Sequence, residues 1–301
     1  MDVNKAKKFI IEHARPMELA EYRCIFEGGP KGAVVEELRK FQNPDGGFGN
    51  ALEPDNWNPN STPITTNDAI IHLYQCGALG EDREMVEGTA RWLKSGDGFD
   101  EGQQRWRFAV ESSKEHPHAI WWEPGDGKES WNPTVSLAAF LCCVDGGERW
   151  KELVREAFDW LETVEEIGSD EVKCFMLAHG LLSWYGALDV IDPDKAREDI
   201  KRAVGLAVCH EVEKYGVEYV AGPSAFFHGE SPYVPDGIEE LVKAELAAID
   251  KLQMEDGGFD ITWQWYTPYE QEYKQARDWW RPRVTMEKLG FYLAFKGGEQ
   301  K

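Results

Sequence analysis

One short motif constrains this chain more than any other feature. Gln42-Asn43-Pro44-Asp45-Gly46-Gly47-Phe48 returns as Gln253-Met254-Glu255-Asp256-Gly257-Gly258-Phe259, so both copies read Gln-x-x-Asp-Gly-Gly-Phe. Each copy closes an amphipathic run, Val34–Phe41 in the first case and Leu241–Leu252 in the second. A degraded third copy reads Ser95-Gly96-Asp97-Gly98-Phe99, after Val86–Leu93. The 211 positions from Gln42 to Gln253 hold four or five units of about 40–50 residues, the size of a helix-pair repeat. The motif has a physical logic. A glycine takes a left-handed conformation that a Cβ would resist. Asp bonds nearby backbone amides and favours the turn. Phe drops back onto a neighbouring helix, and Gln is long enough to bond backbone groups at the next helix terminus.

Between these turns, helical spacing of apolar residues predicts helices over Ile64–Gly77, Glu84–Lys94, Pro133–Val144, Arg149–Thr163, Glu171–Tyr185, Pro193–Cys209, Ile238–Gln253 and Pro282–Phe295. Asn132-Pro133 and Asp192-Pro193 each read as an N-cap before a proline at the first helical position. No stretch alternates over six or more residues, so no sheet is expected. Thr134–Val144 is apolar nearly all round, whereas Ala196–Val208 is polar on one side. Two such classes suit an inner helical ring buried on every side and an outer ring half exposed. The expected fold is therefore all-α, a barrel of helix-pair repeats forming a single domain over residues 1–301.

Helix, Gln-x-x-Asp-Gly-Gly-Phe, then a Pro- and Thr-containing stretch into an inner helix (Pro63-Ile64-Thr65-Thr66-Asn67-Asp68-Ala69) resembles the repeat of squalene–hopene cyclases and protein prenyltransferase β subunits. The likeness is clear in residues 31–77 and 238–296 and faint between them. It implies the α/α toroid of terpenoid cyclases, a scaffold that hosts several unrelated functions. The chain also resembles a group of bacterial single-domain toroid proteins, with Glu53-Pro54-Asp55, His116-Pro117-His118 and Trp121-Trp122 in the matching parts.

Composition excludes several partners. Net charge is −22, from 55 acidic against 33 basic residues. That field repels a phosphate backbone and an anionic membrane surface, so neither nucleic acid nor membrane is an expected partner. No window of about 18 apolar residues occurs, so no membrane span is expected. Residues 1–11 are charged and read as neither signal peptide nor anchor. The six cysteines, Cys24, Cys76, Cys142, Cys143, Cys174 and Cys209, have no framework spacing and fit free thiols in a reducing compartment. A chain of this length buries roughly 75% of its unfolded surface and needs no disulfide or metal to hold it. The expected location is cytoplasmic, and nothing in the sequence marks an oligomeric state.

The chemistry is less determined. Class II terpene cyclases protonate an alkene with Asp-x-Asp-Asp, and this chain has no Asp-Asp pair. Asp192-Pro193-Asp194 sits at a helix start and reads as a cap. Protein prenyltransferases hold zinc through Asp-x-Cys, also absent here. No metal and no cofactor are expected. Glu53 and Asp55 follow the first glycine turn, where two carboxylates in one short segment shift each other's pKa and supply a general acid or base; alternatively they cap loop amides. His116 and His118 flank a proline and point to opposite sides, awkward for chelating one metal; one reads as a proton shuttle beside Glu123 or Asp126, or both as loop histidines bonded to backbone. Cys209-His210 with Cys174 and His179 suggests zinc only weakly against ordinary core packing. Thirteen tryptophans are the unusual part of the composition. Trp57, Trp121, Trp122, Trp263, Trp265, Tyr266, Trp279 and Trp280 mostly lie beside turns, where large rings line an apolar cavity, stabilise a carbocation, stack on sugars, or simply anchor long loops. The resemblance points first to an isoprenoid-handling enzyme with an aromatic-lined cavity. The alternatives are a carbohydrate-active enzyme, pairing Glu53 or Asp55 with Asp126 or Glu230, and a non-catalytic module for a small molecule or peptide. The expected partner is an apolar or sugar-like small molecule.

Overall fold

The computed structural model describes residues 1–125, 127–228 and 231–296. Eleven α-helices run through them: α1 (Val3–His13), α2 (Pro16–Glu27), α3 (Lys31–Leu38), α4 (Pro63–Gln75), α5 (Arg83–Ser95), α6 (Thr134–Val144), α7 (Glu148–Thr163), α8 (Ser169–Trp184), α9 (Pro193–Ala207), α10 (Glu239–Leu252) and α11 (Glu270–Lys296). The fold is all-α apart from one two-residue antiparallel ladder, β1 (Phe99–Asp100) with β2 (Arg105–Trp106). No described helix is long and apolar enough to cross a membrane.

Local chemistry starts most of these helices. Asp2, Asp82 and Asp192 cap α1, α5 and α9 by accepting amides of the first turn, and Thr62 does so for α4 with Pro63 at the first helical position. Three expectations need correction. Asn132 is not a cap: α6 begins at Thr134, and the Asn132 side chain accepts from the Cys174 thiol at 3.2 Å. The last helix begins at Glu270 rather than Pro282, which lies inside α11. Proline there forfeits one backbone bond, but burial of Ala276, Pro282, Thr285, Met286 and Leu289 along one face carries the helix through. Two helices also precede residue 28 where none was predicted, because α2 buries Glu18 and Glu21, residues that sequence patterning assigns to solvent.

Packing follows the two predicted classes. Thr134–Cys142 of α6 is buried residue by residue, and α6 touches α5, α7 and α8. By contrast α5, α7 and α9 each bury one face only. Further along, α3 bridges α2 and α4, α8 meets α9, and α10 meets α11. Helix α11 packs on α1 and α2, so the described chain's first and last helices are neighbours. The Met1 ammonium pairs with Asp250 and bonds the Tyr292 hydroxyl at 3.2 Å.

The two heptapeptides make the same set of bonds. Asp45 accepts the Gly47 amide at 2.9 Å and Asp256 the Gly258 amide at 3.0 Å. Gln42 Nε2 donates to the carbonyls of Gly46 and Met85, and Gln253 Nε2 to those of Gly257 and Asp2. Each Gln thus reaches the start of another helix, α5 in the first case and α1 in the second. Gly46 (φ +102°) and Gly257 (φ +96°) sit so close to those helices that a Cβ would lie 2.2 Å from Gly88 O and 2.4 Å from Lys5 O. Phe48 and Phe259 are buried, and their amides donate to Thr66 Oγ1 of α4 and Thr285 Oγ1 of α11.

The six cysteines are free; three are buried and three half-buried. Burial raises the Cys143 and Cys174 thiols to about 12.

Candidate functional site

Three loops meet on one side of the helices. The Trp57 amide donates to Pro117 O at 2.9 Å, the Ala119 amide to Asp55 O at 3.0 Å, and the Ile120 amide to Trp265 O at 2.9 Å. The Thr267 hydroxyl donates to His118 O at 3.0 Å. The turn that carries the acids is held from below by Arg15, which donates to the carbonyls of Ala51 and Leu52 at 2.6 and 2.9 Å. Residues remote in sequence are thereby fixed around Asp55.

Asp55, only 2% exposed, accepts the Trp263 indole N–H on Oδ2 at 2.9 Å and the Trp265 indole N–H on Oδ1 at 2.5 Å. Burial pushes its carboxyl up; the indoles of Trp265, Trp263 and Trp280 and the positive charge of Arg283 pull it back, leaving it at about 6. Glu53, also buried, is pushed well above the ordinary carboxyl range by burial and by the negative charges of Asp55 and Asp68, against the pull of Arg283. The Glu53 Oε2 is buried and has no hydrogen-bond partner among the described residues.

The rings around this pair are ordered by contact. Trp57 stacks on Trp279 at 5.2 Å and meets Trp265 edge-on at 6.3 Å; its own N–H is spent on Pro54 O. Trp263 meets Trp280 edge-on at 5.3 Å and Tyr219 at 5.7 Å. Trp279 and Trp280 are residues of α11, not of a loop. Trp121 and Trp122 belong to the apolar cluster that includes Ile64, Ala119 and Trp265, with Trp122 stacked on Phe108 at 4.7 Å. His118 lies behind the acid turn: Nδ1 faces His116 O at 2.5 Å and Nε2 faces Glu123 Oε1 at 3.0 Å. Of the predicted residues, Glu53, Asp55, Trp57, Trp263, Trp265, Trp279 and Trp280 come together. His116, His118, Trp121 and Trp122 brace the loop beside them. Asp126 and Glu230 lie outside the described residues. Cys174, His179 and Cys209 go separate ways, to Asn132, Tyr233 and Glu211. Among the described residues, no three His, Cys, Asp or Glu are grouped to hold a metal ion.

Compared with known protein families, curated proteins and solved structures, the chain matches none. The geometry alone carries the argument.

Sequence patterning missed a buried ionic network under the acids. Arg283 of α11 pairs with Asp68 at 3.0 Å and Glu18 at 3.2 Å, and its guanidinium lies against His72 Nε2. His72 Nδ1 faces Glu21 at 3.0 Å, and its Nε2 lies 3.6 Å from Asp68. Arg15 forks onto Glu18. Burial opposes ionisation throughout, but Arg283 and His72 hold Asp68 far below the carboxylate range, and Arg15 and Arg283 hold Glu18 down. The available signal was spacing: Asp68 and His72 stand at i, i+4 on one face of α4, and Glu18 and Glu21 at i, i+3 on α2.

A second missed group lies on α8. Asp170, Lys173 and Met176 form the open stripe of a helix otherwise largely buried, and the Lys173 side chain is 42% exposed. Lys173 pairs with Asp170 at 3.0 Å, and the Tyr219 hydroxyl donates to the same carboxylate at 3.4 Å. Lys173 also feels Glu287 of α11, and His228 feels Glu287, Lys173 and Lys288. Lys288 in turn bonds Glu245 and Ser224. Through Tyr219 and Trp263 this group is in contact with the residues that hold Asp55.

Proposed function

We propose that the helices close into an α/α ring, and that Glu53 and Asp55 serve at its mouth as an acid–base pair acting on a carbohydrate. Ring closure is supported by the second heptapeptide. It grips α1 as the first grips α5, so the last repeat treats the start of the chain as its next unit. It is also supported by open stripes on α4 (Asp68, Ile71) and α8 (Asp170, Lys173, Met176), helices that otherwise bury most of their surface, and by the half-exposed Trp280, Val284 and Glu287 of α11. Such stripes are the expected lining of a wet central cavity.

One observation carries the chemistry: two buried carboxyls stand two residues apart in one turn, Glu53 pushed well above the ordinary carboxyl range and Asp55, gripped by two indole N–H groups, at about 6. Pairs of acids pushed apart in this way divide into proton donor and proton acceptor. A carboxylate offers about four acceptor sites, and the two indole bonds to Asp55 occupy two of them. The surroundings favour a sugar over an isoprenoid. The Trp263 ring meets Tyr219, whose hydroxyl bonds Asp170, the partner of Lys173, and a hydrocarbon chain would leave these polar groups desolvated and unrewarded. The cations there are matched with carboxylates, Lys173 with Asp170, Lys288 with Glu245, Arg283 with Asp68 and Glu18, so a diphosphate would have to compete for them.

The test is release of reducing ends or unsaturated sugars from a panel of neutral polysaccharides and oligosaccharides. With Asp55 as the base, the rate rises as pH passes through about 6, and Asp55→Asn lowers it by about 10²–10⁴-fold. Products from prenyl diphosphates instead, or an Asp55→Asn enzyme with unchanged rate, would overturn the proposal.

A further inference from the structure

Beside the acid site the surface carries a groove of about 620 Å³, within the roughly 300–1,000 Å³ of sites that enclose small organic ligands. Trp263, Tyr266, Tyr273, Val217, Gln264 and Arg277 are among the residues that bound it. Two observations single it out. The three most exposed large apolar side chains among the described residues are Tyr266 (76%), Tyr219 (66%) and Val217 (64%). All three gather here: Tyr266 and Val217 line the groove, and Tyr219 meets the Trp263 ring. Tyr266 moreover stands at φ +56°, a conformation a bulky residue seldom adopts, in a loop whose neighbours are tightly tied down. A large ring is thus held out into water at a backbone position that disfavours it.

Trp263 joins this groove to the acid site. Its N–H is bound to Asp55, its carbonyl accepts from the Tyr273 hydroxyl at 3.0 Å, and its ring borders the groove. We propose that the groove is a binding subsite for a neutral oligosaccharide chain that runs up to the Trp263 ring beside Asp55. The inference rests on the sugar reading above and adds that the substrate is a chain longer than a disaccharide. The chemistry supports that occupant. Exposed rings offer faces for sugar C–H surfaces, and Gln264, Asp260 and Arg277 offer donors and acceptors at the edges. Arg277 is paired with Asp260, and although Lys274 also borders the groove, the chain's net charge of −22 repels an anionic glycan.

Binding of hexaoses of the malto, cello, xylo, manno and chito series, each against its disaccharide, is measured by calorimetry on the full chain. One hexaose should bind at least about tenfold more tightly than its disaccharide, Tyr266→Ala should remove that advantage, and Tyr266→Phe should keep it. If the hexaose advantage is present and Tyr266-dependent but no sugar is turned over, the catalytic reading falls and the subsite stands. If sugars are turned over through Asp55 but length makes no difference, or Tyr266→Ala changes nothing, the subsite falls and the catalytic reading stands. No binding by any hexaose overturns the subsite, as does a dimer that Tyr266→Ala dissociates, which would assign the groove to a second copy of the chain.

Discussion

His72 should make this protein lose stability in mild alkali, and the size of the loss follows from its surroundings. The imidazole is enclosed by groups from three helices: Glu21 of α2 at 3.0 Å, Asp68 of its own helix at 3.6 Å, and the Arg283 guanidinium of α11. Burial and Arg283 oppose its protonation, Glu21 and Asp68 favour it, and the carboxylates win, placing it at about 9. In the unfolded chain the same group titrates near 6.5. The folded state thus holds the proton more tightly. The resulting stability is fully present below pH 6.5 and disappears as pH rises through 9. At about 1.4 kcal/mol per pH unit, the gap corresponds to about 3 kcal/mol, a sizeable part of the 5–15 kcal/mol of an ordinary domain. The assay is urea unfolding of the wild type and of His72→Gln at pH 6, 7, 8, 9 and 10. Tyr and Lys titrations elsewhere are common to both proteins and cancel in the difference. That difference should shrink by about 3 kcal/mol between pH 6 and 10. Curves that stay parallel over this range would show that His72 is neutral in the folded protein and that the carboxylates do not hold its charge.

The glycine turns give a graded test of backbone fit. Gly46→Ala and Gly257→Ala place a Cβ against the backbone of α5 and of α1, and each should cost about 2 kcal/mol or more in urea unfolding, whereas Gly237→Ala, at φ +79° but with open space around it, should cost about 1. Thr66→Val and Thr285→Val each strand a buried phenylalanine amide, and each should destabilise by about 1–3 kcal/mol; similar losses at the two sites are expected if the two repeats are equivalent units.

What was legible in the sequence was what local chemistry dictates. Gln, Asp, Gly and Phe of the heptapeptide each met the kind of partner their chemistry calls for, because turn formation and a buried ring are decided within a few residues. The eight predicted helices are present, since apolar periodicity records which face is covered. Failures came where tertiary packing outweighs local preference. Pro282 marks a helix start in isolation, yet the buried face on both sides of it extends α11 by three turns. Glu18, Glu21, Asp68 and His72 look like solvated residues until a cation from another helix is beside them, and Arg283 lies more than two hundred residues from each. The Glu53–Asp55 segment stood out because two acids follow a turn. That Trp263 and Trp265 would close on Asp55 required knowing which loops are adjacent.

The two networks meet at Arg283, and this explains why an expensive buried charge cluster sits beneath the acid turn. A buried ion pair is weak grounds for stability, since apolar packing commonly does as well. Its electrostatic reach is another matter. Arg283 pulls down both Glu53 and Asp55 while Asp68 pushes Glu53 up, so the ionic network sets the field in which the two acids titrate. Trp280, one turn earlier on α11, stacks within 5.2 Å of the Arg283 guanidinium and within 5.3 Å of Trp263, the ring that grips Asp55. One helical turn therefore carries both the cation that tunes the acids and a ring that helps orient them. Burial, opposed chiefly by the indoles of Trp265 and Trp263, leaves Asp55 at about 6, and the pull of Arg283, itself paired with Glu18 and Asp68, is the smallest of the opposing effects.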